Sequence, residues 1–430
     1  MVANRRMACG IALNSALALQ RSLALAMTET KNWRTPAVVV ACGGLAMTIV
    51  LGTRHGFGLY LQPMTLDLGI SRETFAFAIA LQNLFYGCSQ PFTGMIADKF
   101  GAARVMAFGT IAYAIGLMLM SHASTGMELN LSAGLLIGIA MGCCGFSTVY
   151  GVVGRVVPAE KRSTAMGVVG AAGSLGQFLM LPYGQLLINH LGWQHALLTL
   201  AITVLVLLPL STALVEDKRI QAQAQFKQSI RAALREAFQH RGFMLLCIAY
   251  TVCGFQLLFV SVHFPAYLID QKMSPAAGMM ALALIGLFNT FGSFSWGWLG
   301  GRYTKKYLLA TLYFTRAMVV LAFMLAPLSP MSVYLFSAAI GFLWLGTAPI
   351  TGALIAQIFG ANYLSTLSGI AFLFHQIGSF LGVWIGGKIF DTTGSYNLMW
   401  WIIIGAGIAA ALLNLPVDER AIVRRAPAAA

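Results

Sequence analysis

Acidic side chains are scarce in this 430-residue chain: thirteen, against 27 lysines and arginines. None of the thirteen falls inside a stretch long and apolar enough to cross a bilayer. Glu29, Asp67, Glu73, Asp98, Glu128, Glu160, Glu216, Asp217, Glu236, Asp270, Asp391, Asp418 and Glu419 all sit at the ends of such stretches, in loops or in tails. That shortage excludes paired-carboxylate chemistry and leaves nothing acidic in the membrane to hold a cation. Charge of either sign is also rare, at 9% of residues, which excludes an ordinary soluble globule. Cysteine is sparse too. The seven thiols show neither a disulfide framework nor metal-ligand spacing, and no nucleotide-binding loop is present, so no cofactor, metal or enzymatic activity is expected.

What fills the chain instead is apolar: 58% hydrophobic residues and a mean hydropathy of +0.78. Continuous runs of about 20 residues or more, the length that spans a hydrocarbon core, occur near 37–62, 73–97, 103–121, 129–155, 163–189, 193–215, 243–269, 276–299, 307–326, 332–358, 364–390 and 397–415. They predict an all-α integral membrane protein of twelve transmembrane helices, because a membrane barrel requires alternation and these runs are unbroken. The net charge of +14 then reads as topology and not as affinity for nucleic acid. With both termini inside, 22 of the 27 cations fall on the inner side, and only Arg72, Lys272 and Lys388 fall outside. A bacterial inner membrane with both termini cytoplasmic is the expected setting, and a monomer the expected state. The expected divisions are a cytoplasmic extension at 1–36, a six-helix bundle at 37–215, a basic cytoplasmic linker at 216–242, a second six-helix bundle at 243–415 and a cytoplasmic tail at 416–430.

The chain also repeats itself. At an offset of 202 residues, Ser163-Thr164-x-x-Gly167 meets Ser365-Thr366-x-x-Gly369, and Gly176-x-Phe178-Leu179 meets Gly378-x-Phe380-Leu381. One residue of slippage earlier, Gly94-Met-Ile-Ala-Asp98-Lys99 meets Gly297-Trp-Leu-Gly-Gly301-Arg302. Matches at equivalent places in two six-helix blocks indicate a parallel duplication, which places a binding site near midmembrane between the halves.

The stretch Gly94-Met-Ile-Ala-Asp98-Lys99-Phe-Gly101-Ala-Ala-Arg104 resembles the helix 2–3 signature loop of the major facilitator superfamily, with Gly297–Lys306 as its degenerate copy. Arg54-His55-Gly-Phe-Gly-Leu, Ser71-Arg72-Glu73, Phe374-His375-Gln376-x-Gly378-Ser379 and Asp391-Thr-Thr-Gly394-Ser-Tyr396 resemble the bacterial monocarboxylate-porter and oxalate/formate-antiporter relatives within it. The resemblance implies the major facilitator fold and alternating-access transport of a small organic anion, a mono- or dicarboxylate, coupled to a proton or a counter-anion. The alternative is an exporter of drugs or other amphiphiles. One departure stands out: those porters carry an Asp and an Arg in helix 8, and the matching Leu287–Ser293 has neither, so their proton relay does not carry over.

Two cations lie deep in the apolar runs, Arg54 in the first helix and Arg316 in the ninth. A guanidinium fork suits a carboxylate because it donates two parallel charge-assisted hydrogen bonds. Arg54 is the expected principal anion contact. Arg316 is a candidate second contact, weighed against a structural arginine tied to a neighbouring helix. Tyr86, Gln82, Asn289 and His375 complete the candidate binding set. His375 and His263 are the candidate proton carriers, having side chains that titrate near neutrality. Gly94, Asp98, Lys99, Gly101, Arg104 and Arg302 form a candidate conformational latch, an acidic residue at a helix end near basic partners.

Overall fold

In the computed structural model, residues 33–70, 72–216 and 228–422 are described. Most of the expected N-terminal extension, the middle of the linker and the last residues of the tail lie outside them. Among the described residues, ten helical stretches are long and apolar enough to cross a membrane. One of these, Ala159–Leu214, counts twice, because the chain reverses within it at Gly192 (φ 74°, ψ 167°), a conformation that favours glycine. A further helix, Arg72–Phe100, has the length at 29 residues, but Gln82, Asn83, Ser89, Gln90, Asp98 and Lys99 lower its hydropathy. The architecture is therefore twelve crossings in two six-helix halves.

We number them α1 (Pro36–His55), α2 (Arg72–Phe100), α3 (Ala102–Ser121), α4 (Gly126–Val156), α5 (162–191), α6 (193–214), α7 (Arg241–Asp270), α8 (Pro275–Gly300), α9 (Lys305–Leu325), α10 (Pro330–Phe359), α11 (Leu364–Thr393) and α12 (Asn397–Asn414). Local chemistry sets several ends. Thr35 caps α1 ahead of Pro36, and Ser329 does the same for α10 ahead of Pro330. Thr125 and Glu128 form a reciprocal capping box on α4. The first crossing is longer than expected: α1 continues through a 3-10 turn, Gly56–Tyr60, into Leu61–Leu68.

Two crossings are broken at corresponding places in the halves. Helix α4 is interrupted at Gly145, whose backbone is extended (φ −81°, ψ −174°). Helix α10 stops at Phe342 and resumes at Thr347. In membranes, irregular backbone persists only where protein or a cavity satisfies it.

The halves meet through two seams related by the repeat: α2 packs on α11, and α8 on α5. Glycines allow the approach. A Cβ at Gly369 would lie 2.5 Å from the Gln90 carbonyl oxygen on α2, and one at Gly167 would lie 3.0 Å from the Ser293 carbonyl oxygen on α8. A short helix before α7, Ile230–Gln239, is capped by Ser229 and buries Ala233 and Ala237; just ahead of it, the Gln228 carbonyl accepts from Tyr363 Oη at 2.9 Å. The expected basic linker thus contains an amphipathic helix packed against α7, and the residue ahead of its cap is tied to the turn between α10 and α11.

Candidate functional site

The two breaks lie near the two arginines of the apolar helices. Arg54, near the C-terminal end of α1 and half-buried, donates to Asn83 Oδ1 on α2 and sits 5.4 Å from the centre of the Tyr86 ring. Asn83 is oriented in turn by its own bond to the Ile79 carbonyl at 2.9 Å. Tyr113 interacts electrostatically with the guanidinium as Tyr86 does, and the buried hydroxyls of both have no hydrogen-bond partner. The α4 break closes this cluster from below, since a Cβ at Gly145 would meet Gln90 Nε2 at 2.7 Å and the Tyr86 ring at 3.1 Å. One committed donor, four uncommitted ones and two unpaired hydroxyls make a site ready to hold an anion.

Arg316 is arranged differently. It is 1% exposed and donates to the Leu343 and Trp344 carbonyls at 2.5 and 2.9 Å, to Gln256 Oε1 at 3.3 Å and to Cys253 Sγ at 3.4 Å. The two carbonyls are those freed where α10 breaks, so the arginine satisfies the irregular backbone from α9. Gln256 hands the tie onward, donating to the Ile403 carbonyl of α12 at 2.9 Å.

Of the other candidates, Tyr86 is brought to Arg54, and its ring makes an edge contact with Phe372 of α11, 5.1 Å away. Gln82 points elsewhere, donating to the Ala133 carbonyl of α4 at 2.8 Å. Asn289 joins three helices: it donates to Ser174 Oγ on α5 at 2.9 Å and accepts from the Leu345 backbone in the α10 break at 3.1 Å. His375 is buried between the rings of Tyr250 and Phe372, with Nδ1 at 3.2 Å from Gln376 Oε1. His263 lies farther along α7. It bonds the Val383 carbonyl through Nε2 at 2.9 Å and the Tyr396 hydroxyl through Nδ1 at 3.0 Å, the pattern of a satisfied neutral ring.

A chain of polar contacts crosses the interface between the halves. Arg54 bonds Asn83; the Asn83 carbonyl accepts from Gln376 Nε2 at 3.3 Å; and Gln376 bonds His375, while on α7 Cys253 accepts from Arg316. Asn83, Gln376 and Cys253 were not among the residues expected from sequence. Gln376 stands in the quoted α11 motif, and its neighbours on α2 are the only signal that could have paired it.

At the end of the bundle rich in lysine and arginine, hereafter the basic end, Asp98 is almost wholly buried. It accepts from Arg155 Nη1 at 2.7 Å and caps the start of α11, taking the Thr366 amide at 2.7 Å, the Thr366 hydroxyl at 2.6 Å and the Ser365 amide at 3.3 Å. Arg155 also holds Glu216 at 2.6 Å. A carboxylate at a helix N-terminus is favoured by the unpaired amides and the dipole. Gly94 lets α2 approach closely enough, because a Cβ there would be 2.5 Å from the Ser365 carbonyl. Gly101 turns the chain into α3 with φ 94°. Lys99, Arg104 and Arg302 are exposed and stand outside this network; Arg302 stacks on Trp298 at 3.9 Å. Sequence reasoning assigned Arg155 to topology and did not pair it. Between this latch and the arginine site, Ser147, Tyr150, Tyr250, Thr351, Ser368 and Phe372 line a cavity of about 20 Å³, room for roughly one water. The basic end is shut.

Two helical halves packed along glycine seams, each with one broken helix, and a buried carboxylate tying one seam define the architecture of a membrane transporter. The sequence matches the family model described as the Major Facilitator Superfamily over residues 37–383, and the chain belongs to that family. It is 25% identical over 385 residues to an uncharacterised MFS-type transporter, YcxA, of Bacillus subtilis (strain 168), covering 85% of this chain and 91% of that one. It is also 25% identical over 392 residues to monocarboxylate transporter 13 of Bos taurus, covering 88% and 89%. Among solved structures, the proton:xylose symporter XylE aligns with a TM-score of 0.68 at 15% identity, covering 88% of this chain and 94% of that one. FucP in the outward conformation aligns with a TM-score of 0.64 at 16% identity, covering 88% and 95%.

Proposed function

We propose that the protein is a secondary carrier of a small organic anion, a mono- or dicarboxylate, with Arg54 as the anion contact. The carrying observation is the contrast between the two arginines. Arg316 is spent on four protein acceptors, whereas Arg54 keeps most of its fork free beside Tyr86 and Tyr113. An arginine in hydrocarbon is costly, at least about 2.5 kcal/mol on insertion scales, and a carboxylate ligand offsets that with bidentate bonding. The monocarboxylate transporter relative supports the substrate class. Transport is coupled to a proton or a counter-anion, with His375 the group placed to carry the proton. An anion contact from Arg316 would require exchanging its present bonds, so we assign it to holding α10. The setting is a bacterial inner membrane with the basic end cytoplasmic.

The test is binding of mono- and dicarboxylates to purified protein, read as thermal stabilisation and confirmed by exchange in proteoliposomes. Arg54→Lys keeps the charge and loses the fork, and should weaken binding. Arg54→Gln loses both, and charge-assisted hydrogen bonds of about 1.5–3 kcal/mol translate to a loss of roughly tenfold to a hundredfold or more. Arg316→Gln is the control, lowering thermal stability more than affinity. Wild-type carboxylate affinity in a folded Arg54→Gln protein refutes the anion site and favours the amphiphile-exporter reading.

A further inference from the structure

A groove of about 590 Å³ runs along the flank of the first half, apart from the arginine site. Helices α2 and α3 each make more of their contact with α4 than with one another, so the space between them stays open. Glycines close its floor: a Cβ at Gly109 would collide with Cys143, and one at Gly142 with Ser89 Oγ. Along α2, Cys88, Phe92, Ile96 and Phe100 recur every four residues as one wall, and Phe108 of α3 stands in the other. All five are exposed. Phe92 and Ile96 lie two residues either side of Gly94, so about 200° of helical turn points them away from the α11 seam that Gly94 makes.

The walls offer nothing to a water-soluble substrate. Ser89 donates its hydroxyl to the Tyr86 carbonyl at 3.3 Å, and Thr93 donates to the Gly142 carbonyl at 2.9 Å. What remains is hydrocarbon and aromatic surface with a single cation, Arg104, at the basic end. Arg104 is exposed and takes part in no ion pair among the described residues. Lys99 brings a second cation to the same mouth, its Nζ 5.1 Å from the centre of the Phe100 ring. The adjacent acid, Asp98, is already taken by Arg155 and the start of α11. From Phe85 to Phe100 the groove follows α2 for about 22 Å, more than one leaflet's half of a core about 30 Å thick. Spread over that length, its volume gives a cross-section of about 27 Å², roughly a third that of a helix about 10 Å across. A hydrocarbon chain fits such a slot, and a partner helix does not.

We propose that this groove binds one anionic phospholipid from the leaflet at the basic end, with an acyl chain along Phe92, Ile96 and Phe108 and the headgroup phosphate at Arg104 and Lys99. Apolar length ending in two uncommitted cations is complementary to that amphiphile. A zwitterionic headgroup carries its own ammonium to the same two cations and gains less. Each basic side chain near an anionic lipid surface contributes about fivefold in affinity. The site is independent of what the carrier moves, so it stands or falls separately from the anion contact at Arg54.

The test is native mass spectrometry of the purified protein with dioleoyl phosphatidylglycerol or dioleoyl phosphatidylcholine. Wild type should retain one phosphatidylglycerol in preference to phosphatidylcholine. Replacing both cations, Arg104→Gln with Lys99→Gln, should weaken that retention about tenfold or more. Cys88→Trp, which fills the groove and keeps both cations, should remove it as well. Equal retention of the two lipids by wild type overturns the proposal. So does a phosphatidylglycerol adduct that survives Cys88→Trp, because surface charge alone then holds it. A dimer that Cys88→Trp dissolves, with no lipid retained, assigns the groove to a second copy of the chain and overturns it too. Should the tryptophan variant fail to fold, a protein keeping Cys88 as its one cysteine reports instead. Alkylation of that thiol by a lipophilic maleimide should be severalfold slower in phosphatidylglycerol nanodiscs than in phosphatidylcholine ones, and Arg104→Gln should abolish the difference. Equal rates in the two lipids overturn the proposal.

Discussion

Asp98→Asn should open the basic end. The carboxylate accepts four hydrogen bonds, from Arg155, the Ser365 and Thr366 amides and the Thr366 hydroxyl. The amide is isosteric, so packing at Gly94 is unchanged, and its single oxygen keeps some of the helix-capping bonds. Lost are the charge facing the α11 N-terminus and the bond to Arg155, which then meets an amide donor. Arg155 lies in the same half as Asp98 and keeps Glu216, so the loss of its bond falls on both conformers alike. The contacts with α11 cross between the halves, and weakening these charge-assisted bonds, about 1.5–3 kcal/mol, falls on the closed conformer alone. That is roughly one to two powers of ten in a two-state equilibrium. The assay is a spin-label distance between Lys99→Cys on α2 and Gln357→Cys on α10 in an otherwise cysteine-free protein, both exposed at the basic end. Wild type should give one short distance, and Asp98→Asn a dominant longer one. An unchanged distribution in a folded variant refutes the latch.

Gly297→Ala should act on the other seam in the same direction, since the added Cβ would lie 2.9 Å from the Ser163 carbonyl oxygen and forces α8 from α5; the same kind of distance measurement across α5 and α8 reads it. Single cysteines at Phe238 and Met331, exposed at opposite ends of the bundle, should label from the inside and the outside of intact cells respectively, and same-side labelling removes the proposed orientation.

The architecture was legible because its signals are long. Twelve apolar runs and a 202-residue internal repeat do not depend on any one residue. The details that escaped are short and three-dimensional. The α4 and α10 breaks follow from glycines at 145 and 346 whose neighbours are set by tertiary packing, although two glycines a residue from the repeat spacing were a usable signal. Arg316 reads from sequence as an ion seeking a ligand until the carbonyls of Leu343 and Trp344 are placed beside it. Arg155 reads as topogenic charge for a similar reason: Asp98 is 57 residues away along the chain and Glu216 is 61. Arg54 and His375 were visible as titratable groups in apolar runs, but that Asn83 and Gln376 bridge them was not, because side-chain partners across a domain interface leave no periodicity.

The repeat matches Asp98 to Gly301, and the structure keeps both members in place: Asp98 grips the start of α11, while Gly301 merely lies against Thr164 at the start of α5. The two seams are therefore a bolted jamb and a bare one. On the latch proposed for Asp98, asymmetry of that kind would give the rocking motion a sequence in time, the glycine seam sliding at small cost and the bolted seam setting the barrier. The rate of exposure to the basic side would then be governed by one carboxylate, and variation at a single position would retune turnover without touching the residues proposed to choose the cargo.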